Sequence, residues 1–150
     1  MGNNKKIEEL INIAILSEKN SNDPDTQVGC VLTDENFEIK IQSCNHSNSY
    51  NIVDVEKLKR PLKYKYIEHA ERNAIYFAAK LGIKTNNFKM FLSKLFPCCD
   101  CARAIVESGI GELYCYEPDW NEEKYKEEFR ISREILEENN VRICFLEKIV

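Results

Sequence analysis

A chain of 150 residues, 43% hydrophobic and 31% charged, with five glycines and four prolines, has the make-up of one globular domain, not of a fibrous or disordered segment. No apolar run approaches the roughly 18 residues of a membrane span, and Met1-Gly2-Asn3-Asn4-Lys5-Lys6 carries no apolar signal stretch, so a soluble cytoplasmic protein is expected. A net charge of −4 without a basic stripe argues against stable nucleic-acid binding, though one small phosphorylated ligand needs only one or two local cations.

Residues 4–19 carry apolar side chains at Ile7, Leu10, Ile11, Ile13, Ala14 and Ile15 with charges between, which predicts a helix lying on a sheet. Ser21-Asn22-Asp23-Pro24-Asp25 breaks it. Val28–Leu32 and Ile39–Ile41 read as strands around the polar turn Thr33-Asp34-Glu35-Asn36. From Ser43 to about Lys63 the chain is polar and without period, a long loop of the kind that is functional or mobile. His69 to Leu81 is helical in pattern, and Gly82 supplies its stop. Then come a short strand at Phe88–Leu92, a helix over Cys98–Val106, a strand at Leu113–Tyr116, a charged amphipathic helix over 121–138, and a last strand at Val141–Leu146. The order αββαβαβαβ predicts an α/β domain with helices on both faces of about five strands.

Seven cysteines, an odd number without an export signal, point to a reducing compartment and not to a disulfide framework. Cys30, Cys115 and Cys144 fall in predicted strands and Cys44 just after one, and all four read as small buried apolar residues. Cys98, Cys99 and Cys101 are different, because they cluster at a predicted helix start behind Pro97. Two cysteines three apart on a first helical turn can face one ion, and the positive end of the helix favours their thiolates. A second local motif, His69-Ala70-Glu71, also opens a helix.

Zinc (Zn2+) takes imidazole nitrogen and thiolate sulfur in tetrahedral geometry, and a catalytic site leaves the fourth position to water. His69, Cys98 and Cys101 are therefore the expected ligands. The water becomes a usable nucleophile near neutral pH. Glu71, beside a ligand but not one itself, is the expected proton carrier. A structural zinc site would need a fourth protein ligand, and no second C-x-x-C or histidine pair provides it. A metal-free reading would leave His69 as a capping residue and the cysteines as core. Cys99 reads as a packing or supporting neighbour of the ligands.

The ordered pair H-x-E and P-C-x-x-C is the signature of zinc nucleobase deaminases. Together with Asp23-Pro24-Asp25-Thr26-Gln27-Val28-Gly29, Asn73-Ala74-Ile75 and Ala102-Arg103-Ala104-Ile105, it makes the sequence resemble the cytidine and deoxycytidylate deaminase superfamily, and within it the deoxycytidylate (dCMP) deaminase branch. The resemblance covers most of residues 5–145. It implies one deaminase domain over 1–150 with a three-layer α/β/α cytidine deaminase-like fold and a central mixed sheet. It also implies zinc-dependent conversion of dCMP to dUMP, and a homo-oligomer, dimer or hexamer. Alternatives are another cytosine substrate (dCTP or cytidine), a base in tRNA or single-stranded DNA, or a zinc module without activity.

The resemblance extends to substrate contacts, Ala70 among them. Asn45 falls where the family has a Gly-Tyr-Asn-Gly turn whose Asn contacts the nucleotide; neither glycine is present here, and that turn is associated with allosteric control by deoxynucleoside triphosphates. Lys80 aligns with a family position linked to the nucleotide phosphate. It lies about 16 Å along the helix from His69 at about 1.5 Å per residue, so it would reach a phosphate across a subunit interface or else stand as a solvated lysine. Tyr116 and Trp120 are candidates to pack on the pyrimidine, Tyr114 to pack in the core with Tyr116 on the same strand face. The cationic run Arg60 to Tyr66 suits either a phosphate or a solvated edge, and Tyr76 and Phe77 suit a subunit contact.

Overall fold

The first helix, α1 (Gly2–Ser17), buries Leu10, Ile11 and Ala14 and half-buries Ile7 and Ile13, whereas Ile15, expected on the sheet side, is exposed with Leu16 among the charged and polar side chains of the outer face. It lies on strand β1 (Gly29–Thr33), whose five residues are all buried. The approach is close because position 29 is glycine: a Cβ there would sit 1.7 Å from the carbonyl oxygen of Ala14. The computed structural model describes residues 2–48 and 54–147.

β1 pairs antiparallel with β2 (Ile39–Cys44) and, on its other side, with a strand from residues 89–92. The polar stretch after β2 is more ordered than its composition predicts. Ser43 and Cys44 belong to β2, and β3 (His46–Ser47) follows at once. A 3-10 turn at Val55–Leu58 is capped by Asp54, whose carboxylate accepts the Glu56 N–H. The short helix α2 (Lys63–Tyr66) then leads into β4 (Ile67–Glu68), which pairs antiparallel with β3. Two-residue strands carry too little period to be read from sequence. The part of the predicted loop at 49–53 lies outside the described residues.

Helix α3 (Ala70–Leu81) stops at Gly82, whose φ of +70° is the left-handed cap that glycine adopts without strain. β5 (Lys89–Leu92), helix α4 (Cys99–Glu107), β6 (Glu112–Tyr116), helix α5 (Lys126–Glu138) and β7 (Arg142–Leu146) complete the chain. Residues 121–125 are a turn, not the first part of α5.

The strand order is β2-β1-β5-β6-β7, with β5, β6 and β7 parallel, so the sheet is mixed and five-stranded. Alternation along the strands divides the core. Val31, Phe91 and Tyr114 face α1, while Cys30, Leu32, Met90, Leu92, Leu113 and Cys115 face α3, α4 and α5. This is the three-layer α/β/α arrangement the alternation of elements predicts. At the entry edge of the parallel strands, Lys89, Glu112 and Arg142 stand in register across β5, β6 and β7; Lys89 Nζ is 2.7 Å from Glu112 Oε2.

Candidate active site

The two local motifs sit at helix starts, and their caps explain how they meet. His69 is the N-cap of α3 (φ −72°, ψ 151°) and Cys98 the N-cap of α4 (φ −71°, ψ 172°). Extended backbone at a cap lets the side chain project from the end of the helix. Cys101, one turn into α4, turns back toward the same point, and its N–H donates to Cys98 Sγ at 3.4 Å. His69 Nδ1 lies 3.6 Å from Cys98 Sγ and 3.4 Å from Cys101 Sγ. A tetrahedral zinc with bonds of about 2.3 Å to sulfur and about 2.1 Å to nitrogen separates S and N by about 3.6 Å. The donor set and its spacing fit that ion, and these three are the one such cluster among the described residues.

The donor atoms set one another's protonation. Hydrogen bonds from the Cys101 thiol, His69 and the Cys101 N–H outweigh burial and pull the Cys98 thiol down to about 4. Cys101 is pushed upward, first by that shared hydrogen bond and then by burial. The hydrogen bond to Cys98 raises His69. Glu71 is 6% exposed, and burial raises its carboxyl above the ordinary glutamate value against the opposing pull of His69. A carboxyl so placed can take up and release a proton beside the ligand cluster.

Neighbouring groups fix the two helix starts. Arg72 joins Glu68 (2.6 Å) on one side and Asp100 (3.5 Å) on the other, linking α3 to α4. Cys99 is a supporting residue: its N–H donates to Glu128 Oε1 at 2.8 Å, tying α4 to α5. Ser43 Oγ donates to the Ala70 carbonyl, and Asn73 Nδ2 donates to the Cys44 carbonyl, holding α3 against β2.

A cleft of about 250 Å³ opens from the His69, Glu71 and Cys98 end. It lies beyond the carboxyl ends of the parallel strands, where α/β sheets place their ligands. Ala70 and Asn45 line it. The Asn45 amide is engaged: Oδ1 accepts the Val28 N–H, and Nδ2 donates to Thr26 O (2.8 Å) and Asp23 Oδ2 (3.4 Å). Asn45 thus shapes the 23–28 wall. Behind it, Lys63 Nζ, 4% exposed, reaches both oxygens of Asp23 and one of Asp25, each at 3.2 Å.

Residues 4–117 match the family model described as the cytidine and deoxycytidylate deaminase zinc-binding region. The chain belongs to that family. It is 29% identical over 129 residues to an uncharacterized deaminase in the luxG 3' region of Aliivibrio fischeri, covering 84% of this chain and 83% of that one. It is 34% identical over 115 residues to the deoxycytidylate deaminase of Homo sapiens, covering 71% of this chain and 61% of the human protein. The fold is shared with a crystal structure of dCMP deaminase from the cyanophage S-TIM5 in complex with dCMP and dUMP: TM-score 0.72, 19% identity, 93% of this chain and 95% of the other.

Among the deaminase-family positions predicted from sequence, His69, Glu71, Cys98, Cys101, Ala70 and Asn45 converge on one end of the cleft. Three others do not line it. Tyr116 shares a strand face with Tyr114, as alternation predicts, but that face packs toward α1 on the far side of the sheet. Trp120 stands behind the wall: its ring meets Phe96 edge-on at 5.5 Å, Arg133 lies over it at 4.9 Å, and only Phe96 reaches the cleft. Lys80 is exposed at the far end of α3. Tyr76 is exposed, but Phe77 is half-buried and stacks with His46 at 5.8 Å. Arg60, Lys63 and Tyr64 of the cationic run line the cleft, and so do Phe96, Lys124 and Tyr125, which carry no sequence signal; a lysine followed by an aromatic residue at a loop reads as surface in any chain.

Proposed function

We propose that the chain is a single-domain, zinc-dependent hydrolytic deaminase that converts dCMP to dUMP and ammonia. The observation that supports this reading is the convergence of the His69, Cys98 and Cys101 donor atoms within 4.8 Å of one another, a spacing that suits one zinc ion, with buried Glu71 beside them, at the end of a cleft in a chain of this deaminase family. The choice of dCMP is supported by relatives named deoxycytidylate deaminase, of which the human protein is spanned over 61% of its length.

His69, Cys98 and Cys101 would hold the metal. When bound, zinc supplies a water nucleophile usable near neutral pH. Glu71 takes the proton from the attacking water and passes it to the base. The water oxygen bonds to C4 as ring N3 takes that proton; the same carboxyl then carries the proton of the new C4 hydroxyl to the amino group, the C4–N bond breaks, and ammonia leaves with a C4 carbonyl remaining. Ala70 lines the reacting end, and Asn45 keeps the 23–28 wall in place. No helix among the described residues is long and apolar enough to cross a membrane. Deamination of dCTP, cytidine or a base in tRNA stands as the second reading.

The test is purified zinc-loaded protein offered cytidine, deoxycytidine, CMP, dCMP, dCTP and tRNA, with ammonia release measured. Turnover of dCMP well above the others is expected, and absence of turnover on every free nucleotide removes the reading.

A further inference from the structure

The deaminase reading places the base at the buried end of the cleft, because Glu71 is 6% exposed there. A charged group remote from the base must then project toward solvent, at the end lined by Arg60, Tyr64 and Lys124. These side chains come from segments far apart in sequence, one before α2 and one in the turn before α5.

The other lysines of the cleft are committed. Lys63 is held by Asp23, and Lys94 lies 3.3 Å from Glu18. Arg60 uses only part of its guanidinium fork: Nε donates to Tyr64 Oη at 2.8 Å and Nη1 to Asp25 at 3.0 Å. Lys124 has no ion pair among the described residues, and its Nζ stands 5.0 Å from the Tyr125 ring centroid. A hydrogen bond with Tyr125 supports its charge, while the charge of Arg60 is near enough to oppose it. Two mutually repelling cations at the mouth of one cleft, in a chain of net charge −4, form a local anion site and not a general basic surface. Arginine matches phosphate as a fork and lysine as a point charge.

We propose that Arg60 and Lys124 of a single chain anchor the 5'-phosphate of a nucleoside monophosphate, with Tyr64 orienting the Arg60 fork. The anchor rests on the deaminase reading for its ligand, and it replaces the exposed Lys80 as the phosphate partner. No second subunit is required.

The test is calorimetric binding of dCMP and of deoxycytidine to zinc-loaded protein carrying Glu71→Gln, which blocks turnover. Adding Arg60→Ala or Lys124→Ala should weaken dCMP about tenfold each and about a hundredfold together, the loss expected for charge-assisted hydrogen bonds. Binding of deoxycytidine should not change. In the active chain the same variants should raise KM for dCMP and leave kcat. The proposal is overturned by equal losses for both ligands, by no loss, or by a phosphate-specific loss from Lys80→Ala. Failure of the wild-type chain to turn over dCMP removes the deaminase reading instead, while the binding difference still decides the anchor.

Discussion

The two ends of the cleft are built by different means. The inner end hangs from two helix caps, His69 and Cys98, with Cys101 one turn further and Arg72 joining the helix starts. Its geometry is set by backbone, so each of these side chains has little freedom. The outer end is made of long side chains, Arg60 and Lys124, half-exposed or fully exposed on loops. Between them lies the Lys63–Asp23–Asn45 network, buried and fully engaged. Rigid backbone suits bond-making groups that must be placed to fractions of an ångström, whereas mobile cations suffice to hold a charge.

That contrast can be broken at its strongest point first. His69→Ala or Cys98→Ser should abolish zinc retention and turnover together, read by metal analysis of dialysed protein beside ammonia release. Retention of one zinc per chain by either variant would show that the cluster is not the metal site. Glu71→Gln should cut kcat by about 10²–10⁴-fold while zinc stays bound, the usual size of a general acid–base contribution. Zinc loss in that variant would make Glu71 a ligand and the proton role wrong.

The middle network should report in stability before activity. Lys63→Met leaves Asp23 buried without its cation, and about 3 kcal/mol should be lost in denaturant unfolding, the low end for a broken buried pair because the Asp25 and Thr26 N–H groups still donate to Asp23. A loss confined to kcat, with stability intact, would move Lys63 into the chemistry and dissolve the distinction between wall and working end.

The smallest effect belongs to the opposite edge of the sheet. Burial works against the Glu112 carboxylate, but hydrogen bonds from Lys89 and Tyr114 and the charges of Lys89 and Arg142 hold it below the ordinary glutamate value. A lowered folded-state pKa means that the unfolded chain binds the proton first as pH falls. The stabilisation is present above the unfolded value of about 4.3 and disappears as pH drops through the folded one. Glu112→Gln should therefore lower Tm slightly at pH 7 and leave a shallower decline below pH 5 than wild type, with turnover unaffected. An unchanged acid limb would show that the ladder contributes nothing.

Legibility in the sequence follows the same division. The helices of the inner end carry a 3.6-residue period and compact motifs, so their positions and the meeting of His69, Cys98 and Cys101 could be read directly. Even the shared face of Tyr114 and Tyr116 followed from alternation; which side of the sheet that face meets did not, since it depends on where α1 packs. β3 and β4 are two residues each, too short for any period, and their pairing joins segments some twenty residues apart in sequence. Lys124 is an ordinary lysine in sequence, and Lys63 stands out only as one member of the cationic run from Arg60 to Tyr66. Their roles come only from Asp23 and Tyr125 being folded beside them, a tertiary fact no local pattern encodes.

Gly29 gives the last consequence. Its N–H donates to Ser93 Oγ and its carbonyl accepts the Ser93 N–H, and the chain runs from Ser93 through Phe96 in the cleft wall to Cys98. With no room for a methyl group against Ala14, an alanine there would lift α1 or drag the Ser93 segment with it. A lesion on the back of the sheet would then be felt at the front as a loosened approach of Cys98 to His69, from a residue that touches neither.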